Sequence, residues 1–262
     1  MSKSRVIAVA NQKGGTGKST ITVNVAAALG ADGLRVLVVD VDSQADATSM
    51  FGVDPAACGR TLYDVLTGNA ELPAAIATDV TPGVDLVVGD ERLADVEIIL
   101  AGATLRERYL SDALKGNVDA YDLVLLDCPP NLGLLTVNAF CAAPEVLVVV
   151  SMIDRNAFKG AMALAATVAE LHRKDINVAV TAVLRNNVDP HRSTYQLLSD
   201  ALVTSGLPLL AAEVPMRAGF QNAVTAGVPL VHYEPSHAGA EAMRSVAREL
   251  VASRSSARLR AA

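Results

Sequence analysis

Aromatic residues are scarce in this 262-residue chain: four Phe, five Tyr and no Trp, 3% in all, against 51% hydrophobic residues. A core must therefore be built from Ala, Val and Leu, which suits one large α/β domain. Cysteine is equally sparse. Cys58, Cys128 and Cys141 show no C-x-x-C spacing, so neither a disulfide framework nor a thiolate metal site is indicated, and they read as small buried hydrophobes. No run of about 18 uncharged apolar residues occurs, and MSKSR leads into an apolar run too short for a signal peptide or a span. A cytoplasmic protein is the expectation. A net charge of -6 argues against indiscriminate binding to polyanions, so affinity for nucleic acid would need a local basic patch. Internal repeats and low-complexity linkers are also lacking. One domain over 1–252 is expected, followed by the basic stretch SRSSARLRAA, 253–262, expected to be disordered.

What is present is an alternation of short β-branched runs with longer Ala/Leu-rich segments, the pattern of a parallel sheet covered by helices on both faces. VIAVA (6–10), VLVVD (36–40), VDLVVG (84–89), DLVLLD (122–127), EVLVVV (145–150) and VAVTAVL (178–184) read as strands buried on both faces. LPLLAAEVP (207–215) is a weaker seventh. Helices are expected at 19–30, 61–68, 104–115, 133–141, 157–173, 193–205, 219–226 and 238–252.

The first strand runs through NQKGGTG into a helix that starts near Lys18. Backbone N–H groups of such a loop and the helix N-terminus converge on an anion. Gly14, Gly15 and Gly17 allow close backbone approach, Lys18 would reach β- and γ-phosphates, and the Ser19 hydroxyl would bind Mg²⁺. Gln12 occupies the place where G-x-x-x-x-G-K-[ST] has its first glycine, and a second lysine, Lys13, follows it.

KGGTGKST resembles the deviant Walker A motif of the ParA/MinD family of P-loop ATPases. The resemblance implies a P-loop NTPase fold of about seven or eight mostly parallel strands. It also implies ATP and Mg²⁺ as cofactors, with Lys13, Gly14, Gly15, Thr16, Gly17, Lys18, Ser19 and Thr20 around the nucleotide. Lys13 would reach across a nucleotide-sandwich homodimer to the partner's phosphates, as an arginine finger does. VLVVDVDSQAD resembles the family's D-x-D-P-Q segment, with Ser43 in place of proline. By that resemblance Asp42 orients the attacking water and Asp40 supports the Mg²⁺ and water shell, while Asp46 also reads as a helix N-cap. LVLLDCPPNLG resembles the Walker B strand and switch loop D-x-P-P-S-L-G, with Asp127 holding Mg²⁺ through water and Asn131 replacing serine.

Similarity continues to the C-terminal helix. By analogy Asn186, Pro215 and Met216 flank the purine. SMIDRNAFKG, with Arg155 and Lys159, stands where such proteins carry E-x-x-A-L-E-G. Walker A starts at residue 13, so no N-terminal helix-turn-helix domain is expected ahead of it. Arg192 and Arg217 fall where ParA proteins contact DNA, and Arg244, Arg248, Arg254, Arg258 and Arg260 concentrate positive charge near the C-terminus. Gly219 stands where a further basic residue is usual. The expected function is a ParA-like ATPase that dimerises with Mg-ATP, binds DNA non-specifically and segregates DNA or another large cargo, stimulated by a ParB-like centromere-binding or adaptor protein. Two alternatives stay open. One is a MinD-like membrane-cycling regulator, against which the last helix offers only the modest stripe Met243, Val246, Ala247, Leu250 and Val251. The other is a metal-carrier or metabolic member of the superfamily, against which the cysteines are not placed as facing cluster ligands.

Overall fold

The computed structural model describes residues 4–216 and 219–260, with side chains through 252. The strands are β1 (Arg5–Ala10), β2 (Val36–Asp40), β3 (Ile76–Thr81), β4 (Val84–Val87), β5 (Leu123–Asp127), β6 (Glu145–Ser151), β7 (Ala179–Val188) and β8 (Leu209–Pro215). Among the described residues they form one eight-stranded sheet in the order β3-β4-β2-β5-β1-β6-β7-β8. All neighbours are parallel except β3 and β4, which pair antiparallel at one edge. β3 is the strand that sequence reading misses. IATDVT lacks the continuous apolar character of the others because it is an edge strand with exposed Thr78 and Asp79.

The helices are α1 (Lys18–Ala31), α2 (Asp46–Met50), α3 (Leu62–Leu66), α4 (Val96–Ile99), α5 (Tyr109–Leu114), α6 (Leu134–Ala142), α7 (Arg155–Arg173), α8 (Ser193–Thr204), α9 (Gly219–Ala226), α10 (Leu230–Tyr233) and α11 (Ala238–Arg260). Alternation along the strands sorts two cores. Ile7, Val9, Val36, Val38, Leu123, Leu125, Leu147 and Val149 meet α1, α9, α10 and α11 on one face. Ala8, Ala10, Leu37, Val39, Val124, Leu126, Val146 and Val148 meet α3, α5, α6, α7 and α8 on the other. Since both faces are covered, these strands read as unbroken apolar runs.

Several boundaries move. The stretch expected as one helix at 104–115 is a 3₁₀ turn, Arg106–Arg108, followed by the short α5. α11 continues past residue 252, where the sequence suggests that the domain ends, as far as Arg260. In its C-terminal stripe Met243, Val246, Ala247 and Leu250 are buried against the sheet and Val251 is exposed. Each buried side chain of that size contributes about 2 kcal/mol through area removed from water. Cys128 is buried as expected, whereas Cys58 and Cys141 are only partly covered.

Candidate active site

β2, β5 and β1 are adjacent in the sheet, so their C-terminal ends bring three loops together. In register, Asp127 lies beside Asp40 on one side and Val9 on the other. Open α/β sheets place ligand chemistry at this end. β1 passes into the Gly-rich loop, where Gly15 and Gly17 take φ of 73° and 92°. Gly17 is required twice over, because a Cβ there would sit 2.3 Å from Asn186 Nδ2. α1 then starts at Lys18 with its first N–H groups aimed at the loop.

The loop is braced from below and behind. Asn11, buried at the end of an apolar run, donates from Nδ2 to Val149 O at 2.7 Å and Ala157 O at 3.2 Å, and its Oδ1 accepts from the Lys13 amide at 3.1 Å. Asn186 Nδ2 donates to Thr16 O at 2.7 Å. Lys18 is buried, whereas Lys13 is exposed and does not line the cleft.

The carboxylates divide by environment. Thr22 Oγ1 donates to Asp127 Oδ1 at 3.2 Å, and the Ser19 hydroxyl lies nearby. Asp127 Oδ2 is fully buried and has no partner among the described residues. Burial, then the charge of Asp40, push Asp127 far above the ordinary carboxylate range, and Ser19 and Lys18 offset this only in part. Asp40 is also raised by burial, although the Thr48 hydroxyl and amide donate to its Oδ2 at 2.7 and 2.8 Å and the Asp42 amide donates to Oδ1 at 3.3 Å. Its oxygens are thus taken up within the protein, and it does not line the cleft. Asp42 does line it, accepting from the Gln44 amide at 3.1 Å.

The cleft has a volume of about 750 Å³. Its lining includes Gly14, Gly15, Gly17, Lys18, Ser19 and Thr20 of the phosphate loop and α1, together with the apolar Met50, Met216 and Phe220. The buried orphan oxygen of Asp127, the Ser19 hydroxyl beside it and a surplus of negative charge fit a hard divalent cation with oxygen ligands. Loop N–H groups and Lys18 in the lining suit phosphates, and the apolar side chains in it suit a base.

Comparison with known proteins agrees with this geometry. A family model described as "AAA domain" matches residues 4–182. The chromosome partitioning protein ParA of Caulobacter vibrioides is 35% identical over 252 residues, 94% of each chain. The sporulation initiation inhibitor protein Soj of Bacillus subtilis is 33% identical over 251 residues, 95% of this chain and 98% of Soj. The chain belongs to the ParA/MinD family. Among solved structures of similar fold, cobyrinic acid a,c-diamide synthase from Mycobacterium smegmatis with bound ADP and magnesium gives a TM-score of 0.82 at 31% identity, covering 95% of this chain and 94% of that one.

The other residues singled out in this ParA/MinD-family chain fall in varied places. Asn186 reaches the cleft, but its amide nitrogen is committed to the phosphate loop's backbone. Pro215 ends β8 and is not in the cleft wall, whereas the neighbouring Met216 is. Asp46 is the first residue of α2, and the residue before it, Ala45, has a φ of 52° and makes no side-chain cap. Arg217 lies outside the described residues, as do the side chains of Arg254, Arg258 and Arg260. Arg192 pairs with Asp189 at 3.3 Å, and Arg244 and Arg248 both pair with Glu241. Gly219 lies against His237, and a Cβ there would sit 2.7 Å from its Nε2, so a basic residue at this position would need the His237 ring to move. Sequence reading misses Asn11, Thr22 and Thr48. A polar residue directly closing an apolar run was the available signal for Asn11; Thr22 and Thr48 look like ordinary helix positions until the strands are side by side.

Proposed function

We propose that the protein is a Mg²⁺-ATP-dependent ATPase of the ParA type that dimerises on ATP, binds DNA without sequence preference and positions DNA or another large cargo. A ParB-like centromere-binding or adaptor protein stimulates hydrolysis, and the protein is cytoplasmic and nucleoid-associated. The observation that carries this reading is the buried, unpartnered Asp127 Oδ2 beside Ser19 and Lys18 at the strand ends, in a chain similar to ParA and Soj over nearly its whole length.

In this reading Lys18 and the backbone N–H groups of the Gly-rich loop bind the phosphates. Ser19 and, through water, Asp127 would hold Mg²⁺, which would supply positive charge against the phosphates when bound. Asp42 accepts a hydrogen bond from the attacking water and orients it toward the γ-phosphorus; the new P–O bond forms as the bond to ADP breaks, giving ADP and phosphate. Asp40 supports this by holding the Asp42 amide and the start of α2 through Thr48. Lys13, exposed and turned out of its own cleft, supplies a cation to the partner's phosphates. Met216 and Phe220 offer an apolar wall for the base. Arg192, Arg217, Arg244 and Arg248 of two subunits form the DNA surface, and affinity rises on dimerisation because each subunit adds to the other's phosphate contacts.

The test is a mobility shift on unrelated duplexes with ATP, ADP and no nucleotide, run beside phosphate release and light scattering. The expected result is ATP-dependent dimerisation with salt-sensitive, sequence-independent DNA binding. DNA binding absent in all three states, with ATP-dependent sedimentation on liposomes instead, would replace this reading with a membrane-cycling one.

A further inference from the structure

The loop between Asp127 and α6 is tied down at both ends. At its start the Cys128 amide donates to Val9 O at 3.2 Å, continuing the sheet. In the middle, Pro130 packs toward Gly14 of the phosphate loop, its Cβ 3.9 Å from where a Gly14 Cβ would be. At its end Asn131 Oδ1 accepts from the Gly133 amide at 3.1 Å, Thr136 Oγ1 donates to Asn131 O at 2.6 Å, and Glu97 Oε1 accepts from the Leu134 amide at 2.5 Å. The last contact comes from 37 residues away. It is tight enough that a Cβ on Gly133 would lie 2.0 Å from the same oxygen.

Glu97 stands on an anchored support. Leu93, Val96 and Leu100 are buried and leave Glu97 facing outward. Just before them Asp90 binds the Thr61 hydroxyl and Arg92, which also reaches Asp64. A carboxylate at the first N–H groups of a nine-residue helix is well placed for charge and hydrogen bonding alike.

We propose that Glu97 is a positioning residue for hydrolysis, resting on the ATPase reading above: its carboxylate pins the Gly133–Leu134 turn and thereby fixes the loop between Asp127 and α6 where it passes Gly14 of the phosphate loop. Glu97 does not line the cleft that the phosphate loop forms. It holds Pro130 against Gly14 and keeps the strand-end carboxylate in a stiff frame, so its loss lets the loop drift while the nucleotide cradle stays intact.

Four variants test this: Glu97→Ala, Glu97→Gln, Gly133→Ala and the double Glu97→Ala with Gly133→Ala. Amide exchange over 128–137, melting temperature, ATP affinity and turnover are measured on each. Glu97→Ala should speed exchange in that segment and lower kcat roughly tenfold, as expected for a small misplacement near reacting groups, with ATP affinity within about twofold of wild type. Glu97→Gln keeps an oxygen acceptor and should restore most of both. Gly133→Ala should mimic Glu97→Ala in the wild-type background and add little in the Glu97→Ala background, because the atom it strikes is gone. Unchanged exchange and kcat in Glu97→Ala, or strictly additive costs in the double variant, would overturn the proposal. So would loss of melting temperature with kcat untouched, the mark of a purely structural cap. If Glu97→Ala does not fold, Gly133→Ala and Glu97→Gln carry the same comparison. Failure of the wild type to hydrolyse ATP would remove the ATPase reading; segment exchange and coupling in melting temperature would still decide whether Glu97 pins the turn.

Discussion

Two clusters of aspartates lie on this molecule and have opposite electrostatics. At the ends of β2 and β5, Asp40 and Asp127 are raised, chiefly by burial, and Asp127 Oδ2 has no partner among the described residues. Near the sheet edge, burial opposes ionisation of Asp64 too, but the Thr61 amide and Arg92 outweigh it and hold the group below the ordinary range. Asp90 shares the same guanidinium at 2.6 Å, and Arg92 also stacks over Tyr63 at 4.5 Å. The edge cluster is closed: each acid has its base within the chain. The strand-end cluster has Lys18 nearby and more negative charge than the protein itself offsets. Balanced charge reads as structure, and concentrated unbalanced charge at a strand end reads as a site for something outside the chain.

The comparison can be broken most forcefully at Lys18. Lys18→Ala removes the cation nearest the strand-end acids and should weaken ATP binding by roughly a hundredfold or more, the scale for truncating a buried charge partner. Calorimetry would show it, and unchanged affinity would dissolve the distinction between the clusters. Next comes Asp42→Ala, which should lower turnover by about 10² to 10³ while leaving ATP affinity nearly intact, since orienting water acts at the transition state. Single-turnover phosphate release beside calorimetry separates the two quantities; normal turnover would move the role to another carboxylate.

pH distinguishes the clusters next. A carboxyl raised by folding keeps its proton in the native state after the unfolded chain has released one, so the strand-end pair costs stability as pH rises from about 4 toward neutrality. Mg²⁺ with ATP should offset that cost, so the gain in melting temperature on adding them should be larger at pH 8 than at pH 5. An equal gain at both values would contradict the assignment of Asp127 to the cation. Asp64, depressed by folding, has the reverse sign: its contribution is present above the unfolded carboxylate range and is lost as pH falls through its lowered value. The smallest effect follows from it. Arg92→Ala should cost about 1 kcal/mol at neutral pH, because the half-exposed guanidinium is screened by solvent, and this difference should shrink in strong acid. Paired denaturation curves at neutral pH and under strong acid would test this; ATP affinity should not change.

Much of this was legible in the chain. VLVVD and LVLLD show their buried strands without aid, and GGTGKS specifies a strand-loop-helix turn by glycine and lysine placement alone. The edge strand IATDVT was not legible, since half of it faces water and no apolar run marks it. Nor was the tie of Asp40 to Thr48, although the motif assigns Asp40 and Asp42 different roles. Only the fold turns Asp40 inward to Thr48 and leaves Asp42 on the cleft.

By itself the sequence determined the local chemistry: a phosphate-binding turn, acids at strand ends, and apolar periodicities compatible with a covered parallel sheet. These follow from short-range causes, namely the backbone freedom of glycine, side-chain charge and the alternation of faces along a strand. Strand order was decided at the tertiary level. It set β2 beside β5 and β5 beside β1, so that Asp40, Asp127 and Lys18, with Lys18 and Asp127 109 residues apart in sequence, share one low-dielectric site. It also brought Glu97 onto Leu134 and Asn186 onto Thr16. Contacts of that kind depend on which elements pack against each other, and burial then sets whether a given aspartate is an ordinary ion, a satisfied anchor or an oxygen with no partner inside the protein.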